Sequence, residues 1–287
     1  MNEHKKIWLD LELREDIDDF ATLIHALENN VNISEISIHN PSKSELILAC
    51  ETLKRFGKNI PLIVSGQLTI YPDGKDINPS LFKYFDEAGV IEYVELSAYL
   101  SLKPTFEDKI VFCGGSLYTL SKLVEFNDGE FLEAFIQGGF AGESVVGSEN
   151  VLKKFRKREA VPTWNLNIDV DATDRVLLAK NVSCHFVSKN ICHASWVKNS
   201  DVAGNSSVFC EVVGHYFTEN SSDKKCMHDL VAFLSIFNDT LVKFKPVRMH
   251  RTTDERPKWH SVITPDSNHF ISYSLDYEMF IKLVTKA

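Results

Sequence analysis

Residues 7–21, IWLDLELREDIDDFA, constrain this chain more than any other stretch. A short apolar run, Ile7-Trp8-Leu9, gives way to Asp10, Glu12, Glu15, Asp16, Asp18 and Asp19, and helix-compatible sequence, FATLIHALEN, follows at once. Six carboxylates in ten residues repel one another unless something positive sits among them. A solvated acidic loop would account for such a charge run in isolation. The position argues for more, because the cluster falls between a strand-like run and an amphipathic helix. That is the carboxyl end of a first strand, where open α/β sheets build their ligand crevices. Hard oxygen donors converging there suit Ca²⁺ or Mg²⁺.

The rest of the chain repeats the alternation of strand and helix. Helices are predicted over 20–28 and over 44–56, the latter stopped by Gly57, and strands over 33–38, ending at His39-Asn40-Pro41, and over 60–64, ending at Ser65-Gly66. Residues 67–108 are less regular, with turn signals at Pro72-Asp73-Gly74 and Asn78-Pro79. Further strands are expected at Lys109–Cys113, stopped by Gly114-Gly115, at 131–136, stopped by Gly138-Gly139, and at 184–188. Helices are expected at 117–124, 172–179 and 230–237, a loop over 140–162, and a last strand and helix in the tail. This order implies βαβ units and an α/β fold: an open, mainly parallel sheet with helices on both faces. No repeat, linker or low-complexity tract divides residues 1–287, so a single domain is expected.

Composition excludes several classes. The net charge of −9 leaves no basic surplus to neutralise phosphates, so nucleic acid is not an expected partner; the one basic run, Lys153-Lys154-Phe155-Arg156-Lys157-Arg158, reads as a solvated face. No apolar stretch reaches the roughly 20 residues of a membrane span, and residues 1–6 are polar with no signal-like run after them. A cytoplasmic protein is expected. Cysteines 50, 113, 184, 192, 210 and 226 show no CxxC pairing and read as reduced, mostly buried thiols. Cys192-His193 invites a thiol-nucleophile hypothesis, but nothing nearby in sequence activates the thiol. No P-loop, GxGxxG or GxSxG is present.

Three places set metal-capable or acid/base side chains at a predicted strand end or helix start: residues 10–19, Asn165/Asn167/Asp169, and His228/Asp229. Taken in order, they resemble the inosine-uridine-type nucleoside hydrolase family along nearly the whole chain. The opening DxDPGxDD motif of that family is matched by Asp10-Leu11-Glu12 and Asp18-Asp19, its Gly-Asn by His39-Asn40, its GPLTN by Gly115-Ser116-Leu117-Tyr118-Thr119, and its MGG by Gln137-Gly138-Gly139. Trp164-Asn165-Leu166-Asn167-Ile168-Asp169 matches the FNIxxD-like segment and His228-Asp229 the late HD pair.

The resemblance implies Ca²⁺-dependent cleavage of the N-glycosidic bond of a nucleoside or modified nucleoside by a homo-oligomer. It implies a metal set of Asp10, Glu12, Asp19, the main-chain carbonyl of Tyr118, and Asp229. Glu12, Asp18 and His228 would be catalytic, with Asp18 at the sugar hydroxyls and His228, at an ordinary pKa near ~6.5, serving the leaving base. Asn40, Gln137, Thr163, Trp164, Asn165 and Asn167 would face the substrate. The chain departs from the family at several points. Glu12 replaces the second Asp, Pro-Gly is missing, residues 13–17 lengthen the loop by two, and Thr163 stands where a sugar-contacting Glu is usual. Glutamate reaches one methylene further and can still ligate; Asp16 is the alternative ligand. A relative that binds such a ligand without turnover is the competing expectation.

Overall fold

The computed structural model describes residues 5–14, 16–69, 92–127 and 129–286; Glu15 and the turn signals at 72–74 and 78–79 lie outside the described residues. The chain runs β1 (Lys6–Leu11), α1 (Ile17–Glu28), β2 (Ile33–His39), α2 (Lys43–Arg55), β3 (Leu62–Ser65), β4 (Val94–Glu95), α3 (Leu96–Ser101), β5 (Lys109–Cys113), α4 (Tyr118–Phe126), β6 (Leu132–Gln137) and α5 (Glu143–Val146). After a 3₁₀ turn at Lys153–Phe155 come α6 (Trp164–Ile168), α7 (Val170–Leu178), β7 (Val182–Val187), α8 (Lys189–Cys192), β8 (Trp196–Lys198), α9 (Asn199–Val202) and α10 (Val208–Glu219). The last elements are β9 (Lys224–Cys226), α11 (His228–Leu234), β10 (Val242–Arg251), β11 (Trp259–Ile263), β12 (His269–Leu275) and α12 (Tyr277–Val284).

Among the described residues ten strands form one sheet in the order β11-β10-β12-β7-β6-β5-β1-β2-β3-β4, and β8 and β9 form a separate antiparallel ribbon. Every neighbouring pair from β12 to β4 is parallel; β10 runs antiparallel to both β12 and β11. The expected open, mainly parallel sheet is therefore present. From β1 the chain winds outward through β2 to β4, then returns to lay β5 on the other side of β1. The carboxyl ends of β1 and β5 thus flank a topological switch point, the place where such sheets bind ligands.

Side-chain alternation along β1 sorts the core into two layers. Ile7, Leu9 and Leu11 join one apolar cluster with Phe20, Phe209 and Phe233, while Trp8 points to the other with Leu120, Phe140 and Trp259. Helices α1, α10 and α11 cover the first face and α4 and α7 the second. Each large side chain buried this way contributes about 1.5–3 kcal/mol. Asp10, two residues after Trp8, falls on the second face, where no apolar partner can satisfy it.

Helix α2 begins in a capping box: Ser42 Oγ accepts from the Glu45 N–H at 3.1 Å and Glu45 returns a carboxylate oxygen to the Ser42 N–H. Gly57, at φ +62°, ends it as expected. Two expectations are corrected. The 140–162 loop carries α5 and the 3₁₀ turn, with Phe155 buried inside the basic run. The helix expected at 172–179 begins at Val170, capped by Asp169, whose carboxylate accepts from the Ala172 N–H at 2.8 Å.

Candidate functional site

Two helix starts face each other at the switch point. Asp18 and Asp19 lie in the first turn of α1 and Asp229 in the first turn of α11. All three are buried, and their carboxylate oxygens lie within 4.8 Å of one another. The His228 backbone N–H donates to Asp18 Oδ2 at 3.1 Å, and the Glu12 N–H donates to Asp19 Oδ1 at 3.2 Å, so main-chain contacts fix both aspartates. Helix N-termini favour negative charge, which is why both elements can open on aspartate. Burial holds the Asp19 and Asp229 carboxyls well above the usual carboxylate range, and the neighbouring carboxylates push each of them the same way.

Gly114, at the end of β5, completes the floor. A Cβ there would lie 2.6 Å from Asp19 Oδ1 and 3.2 Å from Asp229 Oδ1. Its amide N–H donates to Asp10 O at 2.8 Å and its carbonyl accepts from Asn165 Nδ2 at 2.6 Å. The bare Gly-Gly turn brings backbone, not side chain, against the acidic cluster.

Asp10 sits beneath this cluster. It accepts from the Ser37 hydroxyl and from Thr119 Oγ1 at 2.8 Å, leaving its second oxygen without a hydrogen-bond partner; burial raises its pKa to about 7. Glu12 lies beside Gly115, whose Cβ would meet Glu12 Cγ at 2.7 Å, and it stands outside the three-aspartate group. Burial raises its pKa, while the Arg14 guanidinium and a hydrogen bond from Trp164 pull it back. Glu12 Oε1 and Asp229 Oδ1 are buried without partners. Asp16, the alternative ligand, pairs with Lys225 at 2.7 Å and also interacts with Asp18.

Three buried aspartates converging from two helix starts, with unpartnered oxygens on Asp229 and on neighbouring Glu12, fit a hard divalent cation. The Tyr118 carbonyl, expected in the same set, accepts from the Ser121 hydroxyl at 2.8 Å within α4, and its ring packs against His39 with centres 4.8 Å apart.

The residues expected at the substrate divide into two groups. Asn165 reaches from α6 to Gly114 O, Gln137 O and Gln137 Oε1, joining the glycine turn to the end of β6. Thr163 caps α6 with a buried, unpartnered hydroxyl, and Trp164 beside it is 62 % exposed, an unusual cost for a tryptophan away from a ligand. Asn40, in left-handed backbone at φ 47°, ties its Oδ1 to the Gln67 N–H at 2.8 Å. Asn167 points elsewhere: its amide bonds to Pro257 O at 2.9 Å and to Trp259 Nε1 at 2.6 Å, so both ends are committed to the segment around β11.

His228 does not keep the ordinary histidine pKa. Burial, then Lys225, push it down to about 4, so the ring is neutral near pH 7. Burial pushes the Cys192 thiol up to about 12, away from the thiolate that a nucleophile needs. Sequence reasoning missed Ser37, Thr119 and Gly114 as supports of the acidic cluster. Gly114 carried a signal as the stop after β5, and Thr119 as the last residue of the matched segment 115–119.

No protein-family model matches the chain. An uncharacterised protein of Aquifex aeolicus (strain VF5) is 25 % identical over 263 residues, covering 86 % of this chain and 87 % of that one. Among solved structures, a plant nucleoside hydrolase superposes with a TM-score of 0.75 at 15 % identity, covering 98 % of each chain. The inosine-uridine preferring nucleoside hydrolase from Bacillus anthracis gives 0.72 at 15 % identity, again covering 98 % of each, and a purine-preferring ribonucleoside hydrolase from Gardnerella vaginalis gives 0.70 at 14 %, covering 98 % of this chain and 97 % of that one. The fold is that of the nucleoside hydrolases.

Proposed function

We propose that this chain is a divergent, Ca²⁺-dependent hydrolase of the N-glycosidic bond of a nucleoside or modified nucleoside. The observation that carries the reading is the convergence of Asp18, Asp19 and Asp229 from two helix starts at the switch point of a nucleoside hydrolase fold. Asp19, Asp229 and Glu12 would hold the ion, with Asp10 supporting the floor beneath it. Ca²⁺ is favoured over Mg²⁺ because the donors are buried side chains, whereas Mg²⁺ keeps several waters. When bound, the ion supplies positive charge that relieves the carboxylate repulsion and orients oxygen ligands.

The residues perform the remaining steps. Asn165, fixed by three hydrogen bonds, positions a sugar above Gly114. Breaking the bond to the base develops positive charge on the sugar ring, and the carboxylates beside it stabilise that charge. Asp18 accepts the proton of the attacking water. His228, neutral at pH 7, offers the departing base an N–H hydrogen bond and does not arrive already protonated. Trp164 covers the opening. The six free cysteines support a reducing, cytoplasmic setting, and a homo-oligomer is part of the proposal; among the described residues no helix is long and apolar enough to cross a membrane.

One observation favours a binding protein without turnover: Glu12 stands outside the three-aspartate group. Asp229→Ala tests the ligand assignment, and base release by the native protein separates the readings. The hydrolase reading expects loss of both Ca²⁺ binding, read by calorimetry, and base release. A variant that still binds Ca²⁺ and still cleaves refutes the ligand assignment. Native protein that binds Ca²⁺ and nucleosides without releasing base favours the binding protein.

A further inference from the structure

His193, Cys226 and His228 present ligand atoms that all lie within 4.8 Å of one another. His193 caps α8, Cys226 ends β9 and His228 opens α11. Backbone contacts hold these three turns together. Cys226 pairs with Trp196 across the β8–β9 ribbon, the Met227 N–H donates to Ser195 O at 3.0 Å, and the Ser195 hydroxyl bridges Cys192 O at 2.7 Å and Met227 O at 3.1 Å. The side chains are brought together by a scaffold that does not depend on their mutual attraction.

The two imidazoles meet edge to face with centres 4.8 Å apart. His228 Nδ1 lies 3.8 Å from Asp18 Oδ2, while Nε2 is buried without a hydrogen-bond partner. A metal-bound histidine has this layout, with one ring nitrogen turned to a carboxylate and the other free to ligate. Two imidazoles and a thiolate make a softer donor set than the all-oxygen cluster next to it.

The geometry points to a second cation site, for an ion of the Zn²⁺ class, formed by His193, Cys226 and His228. In a tetrahedral zinc site, bonds of about 2.0–2.1 Å to nitrogen and 2.3 Å to sulfur set ligand atoms roughly 3.3–3.8 Å apart, so the widest edge closes by about 1 Å on binding. Three protein ligands leave the fourth position open. His193 and His228 are partly exposed, which leaves that position within reach of a small donor molecule. Lys154, Lys189 and Lys225 act on these histidines and oppose a bare cation, but Lys225 is itself paired with Asp16 at 2.7 Å. Cys226 supplies compensating charge by releasing its thiol proton to solvent as the sulfur–metal bond forms, and Asp18 adds to it.

Zn²⁺ on His228 Nε2, with Nδ1 turned to Asp18, leaves that ring no N–H for a departing base, so an occupied site and the proposed role of His228 in hydrolysis exclude one another. Metal titration reads the site without substrate. Metal-free protein, with Ca²⁺ added back to fill the carboxylate cluster, is titrated with Zn²⁺ against a chromophoric chelator and separately with Co²⁺. One Zn²⁺ per chain is expected to withstand the chelator, and the Co²⁺ form is expected to show a thiolate charge-transfer band in the near ultraviolet. Cys226→Ser should remove that band and His193→Ala should weaken Zn²⁺ binding, while Asp229→Asn keeps the band. Asp18→Asn should weaken Zn²⁺ by about 10–100-fold. A native Co²⁺ form without the thiolate band, or no Zn²⁺ retained against the chelator, overturns the site. Native-like binding by the folded His193→Ala protein overturns it as well, even if Cys226→Ser fails to fold.

Discussion

The backbone N–H of His228 donates to Asp18 Oδ2 at 3.1 Å, fastening the start of α11 to the first turn of α1 across 210 residues of sequence. That bond sets Asp229, one residue on, against Asp18 and Asp19. Two helix starts therefore behave as one rigid wall of the site.

Asp18→Asn tests the proposed base directly. The amide oxygen can still accept from the His228 N–H, so the melting temperature should stay close to that of the native protein. Turnover should fall by about 10²–10⁴-fold, the contribution of a positioned general base. Steady-state kinetics beside a thermal melt checks this; an active Asp18→Asn enzyme would move the base to another residue.

Gly114→Ala would drive a Cβ to 2.6 Å from Asp19 Oδ1 and 3.2 Å from Asp229 Oδ1. The carboxylates must part, and Ca²⁺ affinity, followed by calorimetry, should drop well before the fold is lost. Unchanged Ca²⁺ affinity would show that the ion sits elsewhere.

Stability of the metal-free protein should pass through a maximum in pH. Burial raises Asp10 and Glu45 to about 7, so each carboxyl holds its proton more tightly folded than unfolded. Their stabilisation is complete below their unfolded values near ~4 and is lost as pH rises through about 7. His25, His39 and His269 are lowered by burial, so they oppose this below about pH 6.5, where the unfolded chain takes up protons first. Melting temperatures in chelator should therefore peak near pH ~6.5 and fall on either side. A steady rise from pH 6.5 to 9 would contradict these shifts.

Asn167→Ala should cost stability with little effect on chemistry. It breaks bonds to Pro257 O and Trp259 Nε1 and leaves buried Trp259 with an unpaired donor, a loss of about 1–3 kcal/mol by chemical denaturation. A large fall in kcat at native stability would return Asn167 to the substrate.

The residues that were legible in the sequence are those whose neighbours along the chain set their environment. Asp18 and Asp19 could be placed because a strand and a helix bracket them, and Asp229 because an apolar helix follows at once. Ile7-Trp8-Leu9 and KIVFC announced central strands by unbroken apolar character. Strand β10 went unread because Lys243, Lys245 and Arg248 interrupt it and Pro246 breaks its pattern; pairing with β11 begins only at Val247, so the proline costs that side no hydrogen bond. The fate of Asn167 was illegible because its partners lie 90 and 92 residues away. The same holds for the His228 pKa, which depends on burial under distant elements.

The most direct test of the account is a product assay. Purified protein with Ca²⁺ is offered a panel of common and modified ribonucleosides and scored for free base and free ribose, with a chelated control. The account predicts release of base and ribose from at least one nucleoside, abolished by the chelator and by Asp229→Ala. Release that persists in both, or a protein that binds no Ca²⁺ at all, would contradict it.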